Sequence, residues 1–76
     1  MSTFFIRLYT LQDVRDFVNI VSSADFEIDL TSGRYVVDAK SIMGIFSLDL
    51  LNPIQVTAHT EDAEGLKAKL ERFIVK

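Results

Sequence analysis

Cysteine is absent from this chain, so neither a disulfide framework nor a thiolate metal site can supplement its core, and stability has to come from packing. Histidine occurs once, as His59, which leaves no second imidazole for a metal site or a catalytic pair; no metal, no cofactor and no enzymatic centre are expected. No apolar run approaches the roughly 18–20 residues of a membrane span, and Met1 to Thr10 has neither the basic start nor the small-residue cleavage site of a secretory signal. A cytoplasmic protein without membrane insertion is the expectation. Positive charge is scarce as well: eight Lys and Arg stand against eleven Asp and Glu, a net charge of −3, and no basic cluster could neutralise a run of phosphates, so nucleic acid is not an expected partner. Repeats, linkers and low-complexity segments are missing, and the 76 residues read as one domain, 1–76. A chain of this size buries only about 60–65% of the surface its unfolded form exposes, which calls for a single economical core.

What is present is a dense hydrophobic pattern, 49% of residues, with periods that change along the chain. Phe4-Phe5-Ile6-Arg7-Leu8-Tyr9 is aromatic and β-branched and reads as a first strand with Phe4, Ile6 and Leu8 on one face. Thr10 then offers a helix cap with Asp13 as its capping-box partner. Leu11, Val14, Phe17, Val18 and Val21 recur at spacings of three and four, while Asp13, Arg15, Asp16 and Asn19 point away, until Ser22-Ser23 ends the helix. Asp25 to Leu30 alternates charged and apolar residues and reads as a strand. Thr31-Ser32-Gly33 supplies a turn, with Gly33 able to take positive φ, and Arg34 to Asp38 returns antiparallel.

A short helix is expected from Ser41 to about Leu50, stopped by Pro53. Ile54, Val56 and Ala58 then alternate with Gln55, Thr57 and His59 in a fourth strand. Thr60 is placed to cap a last helix with Glu61, Asp62 and Glu64 in its first turn and an inner face of Ala63, Leu66, Leu70, Phe73 and Ile74. The order βαββαβα predicts an α+β domain with helices on one face of a sheet and water on the other. Its core should draw mostly on Phe4, Ile6, Leu8, Val14, Phe17, Val18, Val21, Phe26, Ile28, Leu30, Val56, Leu66 and Leu70.

Few residues offer chemistry. His59 belongs on the solvent side of its strand, and Asp25, Glu27 and Asp29 read as a solvated strand face that keeps the open sheet from pairing with another sheet. Ser41 immediately precedes a helix, where an N-cap hydroxyl contributes about 1 kcal/mol. Beyond it, Ile42, Met43, Ile45, Phe46, Leu48 and Leu50 are too many apolar groups for one face of a short helix. Ile45, Leu48 and Leu50 can satisfy the core, so some of the others are left outside.

The segment Lys40-Ser41-Ile42-Met43-Gly44, followed by Phe46-Ser47-Leu48, resembles the regulatory-serine segment of HPr, the small phosphocarrier of the bacterial sugar phosphotransferase system. The order of elements agrees along the chain. The resemblance implies an open-faced β-sandwich with a four-stranded antiparallel sheet and three helices on one face. It also implies a non-enzymatic protein whose Ser41 is the substrate of an ATP-dependent kinase. Lys40, Ile42, Met43 and Phe46 would then belong to a surface that docks partner proteins such as phosphotransferase-system enzymes, the HPr serine kinase or a transcription regulator, with the chain itself a monomer or weak homodimer. In HPr the phosphocarrier histidine lies in a G-[IL]-H-A-R-P-A segment after the first strand, where this chain reads Tyr9-Thr10-Leu11-Gln12-Asp13-Val14. Thr10, Leu11 and Gln12 fall near the histidine and arginine positions, and none is a nitrogen nucleophile able to form a phosphoramidate. The expectation is therefore a histidine-less regulatory or adaptor member of the family; the alternative is a phosphocarrier that uses a non-standard acceptor.

Overall fold

The computed structural model describes residues 1–75. Strands β1 (Ser2–Ile6), β2 (Ile28–Ser32), β3 (Tyr35–Asp38) and β4 (Ile54–Ala58) form one sheet in the order β1-β4-β2-β3, every neighbouring pair antiparallel. Helices α1 (Leu11–Ser22), α2 (Ile42–Phe46) and α3 (Glu64–Lys69) complete the α+β fold anticipated above, and a 3₁₀ turn, Glu71–Phe73, follows α3. Alternation along the strands sends Phe4, Ile6, Ile28, Leu30, Ile54, Val56 and Ala58 into one cluster with Val14, Phe17, Val21, Ile45, Leu66 and Leu70 from the helices. The opposite sheet face carries Thr3, Phe5, Gln55, Thr57, Asp29, Thr31, Val36 and Asp38, none of them buried. Phe17 meets the Phe73 ring edge-on at 6.2 Å and is fully enclosed, so truncating it to alanine is expected to cost about 3–5 kcal/mol, a large share of the total stability of a domain this small.

Several boundaries differ from the sequence expectation, each for a local reason. The first strand stops at Ile6; Arg7 to Tyr9 form a connection, though Leu8 is still buried. Strand β2 begins at Ile28 rather than Asp25 and continues to Ser32, because the turn is the two-residue Gly33-Arg34, with Gly33 at φ 59°. Asp25 and Glu27 therefore do not share a strand with Asp29, and Phe26 lies half-buried against the core in the preceding bend, as Val18 does on α1. Leu11, expected on the inner face of α1, is 53% exposed at the first position of the helix. Helix α2 spans five residues instead of about ten. Its last turn closes on Ser47, whose hydroxyl donates to the Gly44 carbonyl at 2.6 Å, and Asp49 then accepts from the Leu51 N–H and the Asn52 amide, which bends the chain out of helix. Thr60 does not cap α3. Its hydroxyl accepts from the Asp62 N–H and the Asp62 carboxylate accepts from the Glu64 N–H, so a local turn consumes those donors and the helix starts after Ala63. Ile74 lies beyond the helix, bridging Ile6 at the outer edge of β1, with Arg7 N–H donating to the Phe73 carbonyl and Val75 N–H to the Phe5 carbonyl, both at 2.9 Å.

Candidate functional site

The surface around α2 is built from a cap, a bare backbone and a split apolar face. Ser41 sits in extended conformation at the N-cap, exposed, and its Oγ accepts from the Gly44 N–H at 3.2 Å. Gly44 explains why the helix can lie there: a Cβ at this position would meet Val37 Cβ at 3.2 Å and Ser41 Oγ at 3.3 Å, crowding both the contact with β3 and the cap. Ile45 and Leu48 are buried, Ile42 and Leu50 pack half-buried against the core, and Met43 and Phe46 stand out at 76% and 44% exposure. Met43 and Phe46 are three residues apart and so share one side of the helix, beside the cap residue.

Lys40 is committed inside the molecule. Its ammonium donates to the carbonyls of Ala24 and Phe26 at 2.9 and 3.1 Å, while its own N–H donates to Asp38 Oδ1 at 2.9 Å. Its charge thus ties the α1–β2 connection to the β3–α2 connection, a use that the sequence reading of Lys40 as a docking residue did not foresee.

At the start of α1, Thr10 Oγ1 accepts from the Asp13 N–H at 3.0 Å, and Asp13 Oδ2 accepts in return from the Tyr9 and Thr10 N–H groups, completing a capping box. The Tyr9 N–H lowers the Asp13 pKa below its ordinary 3.8 most strongly; burial opposes the shift, while the bonds from Thr10 and the charge of Arg72 support it. Arg72 reaches both Asp13, at 3.5 Å, and Asp16, at 2.6 Å. Gln12 donates its side-chain amide to Asp16, and Leu11 is solvent-exposed. Thr10, Leu11 and Gln12 thus surround a well-satisfied helix start that contains no imidazole.

His59 lies at the end of β4 on the open sheet face, exposed as expected, but it has a partner: its Nε2 is 2.7 Å from Asp29 Oδ2 across the β2–β4 pair. The Asp29 carboxylate places negative charge beside the ring, an environment that repels a phosphoryl group, and the His59 backbone N–H donates to the Glu27 carbonyl at 2.9 Å. Among the described residues no cluster of His, Cys, Asp or Glu could hold a metal ion, and no helix is long and apolar enough to cross a membrane.

Comparison with known proteins agrees with this geometry. The family described as PTS HPr component phosphorylation site matches residues 13–76. The crystal structure of HPr-C-His from Thermoanaerobacter tengcongensis superposes with a TM-score of 0.81 at 26% identity, covering 96% of this chain and 91% of that one. No curated protein matches the chain significantly. A small open-faced sandwich of this order, with a serine-capped second helix, defines an HPr-type carrier domain rather than an enzyme. The chain belongs to the HPr family of the phosphotransferase system. The family match begins at Asp13, just past Thr10, Leu11 and Gln12.

Proposed function

We propose that this chain is a histidine-less HPr-family regulator or adaptor that does not carry phosphoryl groups. Its partners would dock on the exposed side of α2, and Ser41 would be the site of a regulatory phosphate. The observation that carries the proposal is the contrast between two helix starts. At α1 the positions near those of the carrier histidine and arginine are Thr10, Leu11 and Gln12, with Thr10 engaged as a cap, whereas at α2 an exposed serine hydroxyl stands beside the exposed Met43 and Phe46. Ser41 Oγ acts toward Gly44 as an acceptor, so replacing its proton by a phosphoryl group leaves that bond an oxygen to use and adds nearly two negative charges at the surface. Met and Phe are side chains that protein interfaces favour, and exposed apolar groups next to a modifiable serine let one phosphate change what docks.

Incubation with an HPr serine kinase and ATP, read by intact mass, tests the site. One acid-stable phosphate that Ser41→Ala abolishes supports it; an unmodified chain, or the same phosphate on Ser41→Ala, overturns it. Docking is tested separately with Met43→Asp and Phe46→Asp. Both side chains are exposed, so each variant should fold with stability within about 0.5 kcal/mol of the parent while losing partner binding.

A further inference from the structure

The two edges of the sheet are treated differently. The outer edge of β1 is covered by the C-terminal segment, through the Phe73 carbonyl, the Ile6–Ile74 bridge and the Val75 N–H. The outer edge of β3 is bare: among the described residues β3 pairs with β2 alone. The two-residue turn makes Ser32 and Tyr35 a hydrogen-bonded pair, so by alternation Leu30 and Val37 form the next one. The Ala39 N–H donating to the Ile28 carbonyl continues the same phase. Val36 and the Asp38 N–H therefore point away from β2, whereas the Asp38 carbonyl already accepts the Ser41 N–H at 3.0 Å. Tyr35-Val36-Val37-Asp38 contains no proline, lysine or bulge, and the devices that blunt it are its length of four residues and the one charge of Asp38 at its end. Tyr35 and Val36 are 66% and 62% exposed.

From these features the geometry points to a second copy of this chain as the occupant of the β3 edge, paired antiparallel about a two-fold axis through Val36. That register is self-complementary. Val36 exchanges both backbone bonds with Val36 of the second copy, and the pairing ends on either side where Arg34 enters the turn and Asp38 closes the strand. Side chains agree with the backbone: Asp38 of each copy stands opposite Arg34 of the other, and Tyr35 stands opposite Val37, an aromatic and β-branched pair. Among the described residues Arg34 forms no ion pair and the Asp38 carboxylate accepts, through Oδ1, from the Lys40 N–H, so both charges are available. The product is one continuous eight-stranded sheet across the dimer. Because the edge is four residues long, the dimer is weak and concentration-dependent. This association is independent of the role assigned to Ser41.

Sedimentation velocity on the full chain from about 10 μM to about 1 mM, with ¹⁵N amide shifts followed over the same range, tests it. The weight-average mass should rise toward the dimer, with the Val36 amide moving most. Arg34→Glu or Asp38→Lys alone places like charges across the axis at two points and should weaken self-association roughly tenfold. An equimolar mixture of the two variants restores both opposite-charge pairs and should recover parent-like association as a heterodimer. Circular dichroism of each variant controls for folding. Recovery in the mixture cannot arise from misfolded parts. A chain that stays monomeric up to about 1 mM, or a mixture that associates no better than its components, overturns the proposal and leaves the edge to an extended peptide of another protein.

Discussion

Thr10→Ala removes the one side-chain oxygen that accepts the Asp13 N–H, at 3.0 Å, and leaves Asp13 Oδ2 on the Tyr9 and Thr10 N–H groups. An N-cap oxygen of this kind contributes about 1 kcal/mol. For a chain of 76 residues, an unfolding entropy of about 2.1 cal/mol/K per residue converts that loss into a fall in Tm of about 6 °C. Thr10→Ser keeps the oxygen and should stay within about 0.3 kcal/mol. Asp13→Asn adds a pH arm. The Asp13 pKa is lowered in the folded state, chiefly by the Tyr9 N–H, so its charge stabilises the fold above the unfolded-state value and that contribution disappears as pH falls through the folded-state value. The gap between the parent and Asp13→Asn should therefore be widest near neutral pH and close in acid, once the pH has fallen through the lowered folded-state pKa. Urea denaturation followed by circular dichroism at several pH values reads both effects, with slopes unchanged if only stability moves. An unaltered midpoint for Thr10→Ala, or an Asp13→Asn gap that persists undiminished in acid, would refute the assignment of this helix start to structure.

The remaining predictions concern single side chains and glycines. Gly33→Ala should cost about 1–2 kcal/mol, because φ is 59° there although nothing lies within 4 Å of the added methyl, whereas Gly65→Ala, in open space within α3, should stabilise by about 0.4–1 kcal/mol; thermal melts of the two variants move in opposite directions. Lys40→Met strands the Ala24 and Phe26 carbonyls in a half-buried site and should cost about 1–3 kcal/mol, with faster amide exchange in residues 24–27. His59→Ala loses only an exposed pair with Asp29, so denaturation should shift by less than about 1 kcal/mol, and any phosphoryl acceptance should be unchanged in intact mass.

The parts of the fold legible in the sequence were those governed by periodicity. The alternation of Ile54, Val56 and Ala58 and the three-four spacing of Val14, Phe17 and Val21 placed their elements correctly, and the capping box at Thr10 and Asp13 was visible as a pair of residue types. The misplaced boundaries lie where a side chain competes with the backbone, at Ser47 and Asp49 after α2 and at Thr60 and Asp62 before α3; such local bonds shorten a helix without altering its apolar spacing. The Lys40 staple and the His59–Asp29 pair were hidden for a different reason. They join residues 14 to 16 and 30 positions apart, and their formation depends on the β2–β4 register and on where the chain returns. At the candidate site the Ser41 cap and the surplus of apolar residues after it were readable. The role of Gly44 was not, since only the approach of Val37 shows that a methyl group would not fit.

The central claim is that this HPr-family chain has exchanged phosphocarrier chemistry at the start of α1 for regulation at Ser41. The most direct measurement is the intact mass of the protein after incubation with phosphoenolpyruvate and the phosphotransferase-system kinase that charges HPr, taken beside the incubation with HPr serine kinase and ATP, each before and after acid treatment. The account predicts no phosphate from phosphoenolpyruvate and one acid-stable phosphate from ATP. An acid-labile phosphate acquired from phosphoenolpyruvate would contradict it.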